Sequence, residues 1–271
     1  MRKKILITGI SILLIIGICI TYLSIYGIKT DKFNNFINKK VEDYNSKLSL
    51  QTDKVYIKLN LNEKAININI KDSNLIAESN TIKISNIDIN LNLIKFLKNE
   101  SSIKNIKIKS ASNLIKDVTS FLNTIDYNLS RYIFYSQIKE GLLDFELFAK
   151  LDSKKQEPLS FSISGLVSNA KLNIPGYESL KDINFNFQIQ DRITKISNLN
   201  FTYQKIKFSS KRLNIKGEKS GVYFVEGDIE NTKASINPNL IFKFTNIKQD
   251  YLSNKDILFQ SKNLFSFKLN K

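Results

Sequence analysis

The sequence predicts a mainly β fold with helices: a transmembrane helix at the N-terminus, then an antiparallel-rich sheet interrupted by an amphipathic helix. Three observations carry that expectation. Residues 5–28, "ILITGISILLIIGICITYLSIYGI", hold no charge. From about residue 52, apolar side chains recur at every second position with Asn, Lys, Ser and Asp between them, the period of a strand with one apolar face. Between 112 and 139 the spacing changes to three and four, the period of a helix.

The apolar run follows Arg2, Lys3 and Lys4. A helix of about 20 residues matches a hydrocarbon layer roughly 30 Å thick. The basic start fixes the N-terminus in the cytoplasm, with everything after about residue 29 on the far side. A cleaved signal peptide has a shorter apolar core and an A-x-A-like site, whereas the first alanine here is Ala65. An uncleaved signal anchor over 1–29 is therefore the expectation. Lys29 and Lys32 reduce the charge asymmetry without reversing it. Cys19 falls inside the run and reads as a buried apolar thiol.

Residues 31–48 repeat Phe33, Phe36, Ile37, Val41, Tyr44 and Leu48 at helical intervals, so a helix continuing from the anchor is expected, capped by Asp31 and packing its stripe on the following sheet. It opens the first β-rich part, 30–111. Short strands come next, joined by "NEK", "KDS" and "ESN" into an antiparallel meander. In "TIKISNIDINLNL" the alternation of Ile82 and Ile84 resumes at Ile87 after a three-residue step at Ser85 and Asn86, the mark of a bulge. A short helical or turning segment around Phe96 leads to a strand with Ile103, Ile106 and Ile108.

Leu114, Ile115, Val118, Phe121, Leu122, Ile125, Leu129, Tyr132 and Ile133 predict one long amphipathic helix, a separate segment of 112–140. The second β-rich part, 141–271, offers strands near 141–151, 158–174, 181–190, 193–203, 206–216 and 221–231. A two-residue turn at Asp191 and Arg192 joins the third and fourth of these. Residues 239–271 carry weaker alternation.

Composition limits the chemistry. The chain has no histidine and one cysteine, which excludes Ser-His and Cys-His dyads, an internal disulfide and a His or multi-Cys zinc site. Asp144 with Glu146, and Asp228 with Glu230, share strand faces as pairs, and nothing in the sequence sets a second functional group beside them. No enzyme activity, cofactor or metal is expected. The net charge of +16 comes from 41 basic against 25 acidic residues. Past the N-terminus the lysines are scattered along solvated faces, and nucleic-acid binding needs clustering, so no nucleic-acid partner is expected.

Two stretches carry a family likeness. The first is "VYIKLNLNEKAININIKDSNLIAESNTIKISNIDINLNLIKFLKNESSIKNIKIKSA"; the second contains "SGLVSNAKL", "LKDINFNFQIQD" and "VEGDIEN". With the anchor before them they resemble the AsmA-like superfamily of envelope proteins, which includes TamB-like and YhdP-like members. The resemblance covers about half the chain. It implies an elongated, curled β-groove with an apolar lumen, anchored in the inner membrane with its bulk in the periplasm. Such a groove would bind phospholipid or another acyl lipid for transport between membranes or outer-membrane maintenance, with outer-membrane or envelope assembly proteins as further partners. Those relatives are usually much longer, so a short or truncated member is implied. The alternative is a non-catalytic assembly scaffold resembling the N subunit of type II secretion systems.

The candidate lipid-binding residues are Val55, Ile57, Leu59, Ile66, Ile68, Ile70, Ile82, Ile84, Ile87 and Ile89 in the first part, with Ile183, Phe185, Phe187 and Ile189 in the second. Each also reads as ordinary core, because a curled sheet and a two-layer sandwich both bury alternate residues.

Overall fold

The computed structural model describes residues 2–98, 100, 103–127, 136–152, 158–218, 221–236 and 257–270. The chain begins with α1 (Arg2–Ile25), β1 (Ile28–Thr30), α2 (Asn34–Tyr44) and β2 (Leu48–Gln51). There follow β3 (Val55–Asn60), β4 (Ala65–Ala77), β5 (Asn80–Asn92), α3 (Leu93–Leu97), β6 (Ile103–Ser110), β7 (Asn113–Leu114) and α4 (Ile115–Ile125). The remainder is strand: β8 (Ile138–Leu151), β9 (Pro158–Leu172), β10 (Leu180–Gln190), β11 (Ile193–Tyr203), β12 (Ile206–Gly217), β13 (Val222–Ile236) and β14 (Ile257–Asn270). The fold is mainly β, one large antiparallel sheet that does not close. Hydrogen-bonded neighbours follow β1-β3-β4-β5-β6-β8-β9-β10-β11-β12-β13-β14, with β2 on β4 and β7 on β8.

Among the described residues no helix is long and apolar enough to cross a membrane. The helical state of the N-terminal segment is as expected over Arg2–Ile25, and its side chains are described from Ile10 onward. Cys19 is exposed on α1 rather than buried in protein. The expected helix in 31–48 is present as α2, but it does not continue from α1. Gly27 takes a positive φ of 68°, and β1 then pairs with β3 before α2 starts. Asp31 is not the cap; Phe33 occupies that position without a side-chain bond. The stripe of α2 is only half used, with Ile37 and Val41 half-buried and Phe36 and Tyr44 exposed.

The chain divides into two compact units: Met1–Asn113, Asp117–Tyr127 and Phe145–Ile163 in the first, and Leu114–Lys116, Asn128–Asp144 and Ser164–Lys271 in the second. In the first unit, β2 and β3 lie end to end along β4. "KDS" is not a turn. β4 runs through it, and its pairing with β5 is unshifted from Ala65 opposite Asn92 to Ala77 opposite Asn80. Asp72 takes a left-handed φ of 48° inside the strand, so the apolar positions pass from Ile66, Ile68 and Ile70 to Ser73, Leu75 and Ala77. β5 makes the matching step between Ile84 and Ile87. There its pairing with β6 shifts, and the expected bulge is present. Because both strands step together, Ile70 stays opposite Ile87 and Ser73 opposite Ile84.

The expected long helix over 112–139 is cut at both ends. Asn113 exchanges hydrogen bonds with the Lys83 backbone, its Oδ1 accepting at 2.8 Å and its Nδ2 donating at 3.0 Å, which holds 113–114 as strand. The helix α4 then spans only Ile115–Ile125, and 138–151 is β8. Leu129, Tyr132 and Ile133 lie outside the described residues. Within the first unit, Val118 and Phe121 of α4 are buried, one helical turn apart. Its Thr124 accepts from Lys47 Nζ through the carbonyl at 2.9 Å and from Asn80 Nδ2 through the hydroxyl at 3.1 Å. These bonds tie α4 to the 77–80 tip of the hairpin, where Leu50, Ala77, Ile82 and Ile84 are buried.

In the second unit the core gathers on Ile115, Val167, Ala170 and Ile183, with Phe185, Phe187, Leu199 and Phe201 among the side chains packed on it. β10 and β11 meet at the expected two-residue turn, Gln190 opposite Ile193. Asp191 and Arg192 both have positive φ, 47° and 69°, the twist that two-residue hairpins require.

Candidate functional site

The register of the first unit gathers its apolar side chains into rows on one face. Opposed residues run Val55, Ile70, Ile87, Ile108 and Leu147 in one row. A second row holds Ile28, Ile57, Ile68, Ile89, Ile106 and Ala149. A third joins Leu59, Ile66, Leu91 and Ile103. Opposed side chains on neighbouring strands stand about 4.5–5.5 Å apart, so each row is continuous.

Burial divides these rows. Val55 and Ile70 are both 0% exposed, and Ile82, Ile84 and Ile87 are buried with them. Each such side chain contributes about 1.5–3 kcal/mol of burial energy. Ile57, Leu59, Ile66, Ile68 and Ile89 are half-buried, as are Ile106 and Ile103. The apolar face is thus buried toward the hairpin tip, where α4 is tied, and half-buried toward the turn between β3 and β4 except at Leu91, which is buried.

The opposite face is polar and internally bonded. Asn69 Nδ2 donates to Asn86 Oδ1 and to Asp88 Oδ1, both at 2.6 Å, and Asn90 Nδ2 donates to Asn67 Oδ1 at 3.0 Å. Lys107 pairs with Glu146 at 2.9 Å. A sheet with one amide-bonded wet face and one isoleucine face has its two sides fixed, since slipping one residue would exchange them.

In the second unit Ile183 is buried, and Phe185 and Phe187 pack against the same cluster with ring centroids 6.3 Å apart. Ile189 is half-buried and opposes Thr194. The candidate residues of this part therefore sit within or beside a packed core. Asp228 accepts from the Arg212 and Lys211 backbone N–H groups at 2.9 and 3.2 Å, and Glu230 from Ser209 Oγ at 3.5 Å. Both carboxylates are engaged in fastening β13 to β12.

The candidate list leaves out Ile28, Leu91, Ile103, Ile106 and Leu147, which extend the same rows, although alternation alone places Leu91, Ile103 and Ile106 on strands. The signal that finds them is strand register, which is read only once partners are known. Among the described residues no three His, Cys, Asp or Glu side chains are grouped to hold a metal ion. What the arrangement offers chemically is an apolar surface with a buried end and a largely half-buried end. No protein-family model, curated protein or solved structure matches the chain.

Proposed function

We propose that this chain is a membrane-anchored, AsmA-like envelope protein that binds the acyl chains of phospholipid on the isoleucine face of its first unit. The observation that carries this reading is the half-burial of Ile57, Ile68 and Ile89, one row away from the fully buried Val55 and Ile70. Acyl chains laid there would remove apolar surface from water at about 25 cal/mol per Å². Selectivity for one chain over another would be low.

The anchor is α1. From Leu13 to Ile18 its large side chains are exposed, and a helix apolar all round belongs in a core or in a bilayer. Although no helix among the described residues is by itself long and apolar enough to cross a membrane, the uncharged run of residues 5–28 supports a single span, with the N-terminus cytoplasmic and the bulk periplasmic in this reading. A non-catalytic assembly or secretion scaffold is the second reading, favoured by the packed cluster around Ile183 in the second unit.

A photo-crosslinking residue at position 68, compared with one at position 67 on the wet face, tests the proposal in the full-length membrane protein. Lipid adducts at 68 and none at 67 are the expected result. Protein adducts at 68 without lipid would transfer the function to the scaffold reading. Ile68→Asp should abolish the lipid adduct at neighbouring position 57 while the protein stays folded, whereas Ile70→Asp should unfold the first unit by burying an unpaired charge.

A further inference from the structure

We infer that α3 and the turn between β3 and β4 form a second membrane contact, a foot that enters the outer surface of the bilayer crossed by α1. This inference rests on the proposed spanning role of α1.

The foot is built from apolar side chains that the fold leaves unused. Leu61 in the turn is 46% exposed, and on α3 Ile94, Phe96 and Leu97 are 48%, 50% and 72% exposed. A single-turn helix presenting three large apolar groups outward gains nothing from them in water. Its backbone is nonetheless fixed. Asn92 Oδ1 accepts from the N–H groups of Ile94 and Lys95 at 3.0 and 3.1 Å, the hydrogen bonds of a helix N-cap. Leu93 N donates to Lys64 O at 2.9 Å, which fastens α3 to the turn.

The same end of the unit receives α1. Ser24 of its last turn lines a hollow of about 280 Å³ together with Lys58, Leu59, Asn60, Leu61 and Asn62. The Tyr56 hydroxyl donates to Tyr26 O at 2.6 Å, just past the helix end. Tyr22 and Tyr26 are exposed with their rings 5.4 Å apart, the residue type that gathers at headgroup level. Around the foot stand Lys64, Lys95, Lys98 and Lys104 against Glu63 and Glu100, a basic excess suited to anionic headgroups. The occupant is therefore a lipid surface. Its contact would bring the half-buried end of the isoleucine face to the membrane from which lipid is drawn.

Spin labels on the full chain in phospholipid vesicles test this, in a Cys19→Ser background with single cysteines at 13, 78 and 97. Position 13 reports α1 and position 78 the far hairpin tip. The inference expects the ratio of oxygen to aqueous-relaxant accessibility at 97 to exceed that at 78 several-fold and to approach that at 13. Lipid exposure at 13 with 97 as aqueous as 78 would overturn the foot alone. Aqueous behaviour at 13 would overturn the anchor, and the foot with it.

Discussion

Ser73 is buried in the apolar face opposite Ile84, and its Oγ has no hydrogen-bond partner among the described residues. An unsatisfied buried hydroxyl carries a desolvation cost, so Ser73→Ala should raise stability by about 1 kcal/mol, read as a higher denaturation midpoint. Asp228 behaves in the opposite sense. Burial acts to raise its carboxyl pKa, but the N–H groups of Lys211 and Arg212, with the Lys211 charge, hold it below the ordinary value of 3.8. A carboxyl depressed in the folded state adds stability that is fully present above 3.8 and is lost as pH falls through the lower folded value. Asp228→Asn should flatten the acid limb of a stability–pH curve below about pH 4 and leave its neutral region offset by a constant. Neither residue announced itself in the sequence. Ser73 looked like a turn residue and Asp228 like one of a pair of carboxylates on a strand face, because both roles depend on the neighbouring strand.

Turns and strands were legible where side-chain chemistry and period agreed. Asp191 and Arg192 follow a run of strict alternation at Ile183, Phe185, Phe187 and Ile189, and the residues beside the turn, 186–190 with 193–197, pair without a shift. "KDS" misled because Asp72 changes the phase of alternation without ending the strand, and a phase change in sequence looks the same as a turn. The 112–139 segment misled for another reason: spacings of three and four began at Leu114, where Asn113 and Leu114 still pair as strand, and ran on past the end of α4 at Ile125. Close approach is equally silent in sequence. A Cβ on Gly165 of β9 would meet the Asp144 carbonyl and come 2.7 Å from the Phe187 ring. Gly165→Ala should therefore destabilise the second unit by about 1–3 kcal/mol, the usual range for overpacking, with a loss of near-ultraviolet signal from its phenylalanines as the check. Gly176→Ala, where a Cβ would meet nothing within 4 Å, is the comparison, with only its own left-handed strain to register.

At the scale of the whole molecule, the mainly β character followed from period alone, and short turns suggested neighbouring strands in part, whereas the pairing of β1 with β3 and of β6 with β8 did not follow from them. The degree of burial of each isoleucine did not follow either, since Ile68 and Ile70 are identical in sequence pattern while Ile70 is fully buried and Ile68 half-buried. The sheet is open, and among the described strands β14 is the last in the ladder, paired with β13 alone. Its Leu258, Leu264, Phe267 and Leu269 are exposed, with Lys262 and Lys268 between them. A long apolar strand with no second partner among the described residues is a template for further pairing, and interspersed lysines are the usual restraint on it. Replacing both lysines by valine should make turbidity appear at lower protein concentration while the melting point of dilute protein barely changes. Concentration would then become a variable of this protein's behaviour in its own right, with association at one margin of the sheet set apart from the forces that fold it.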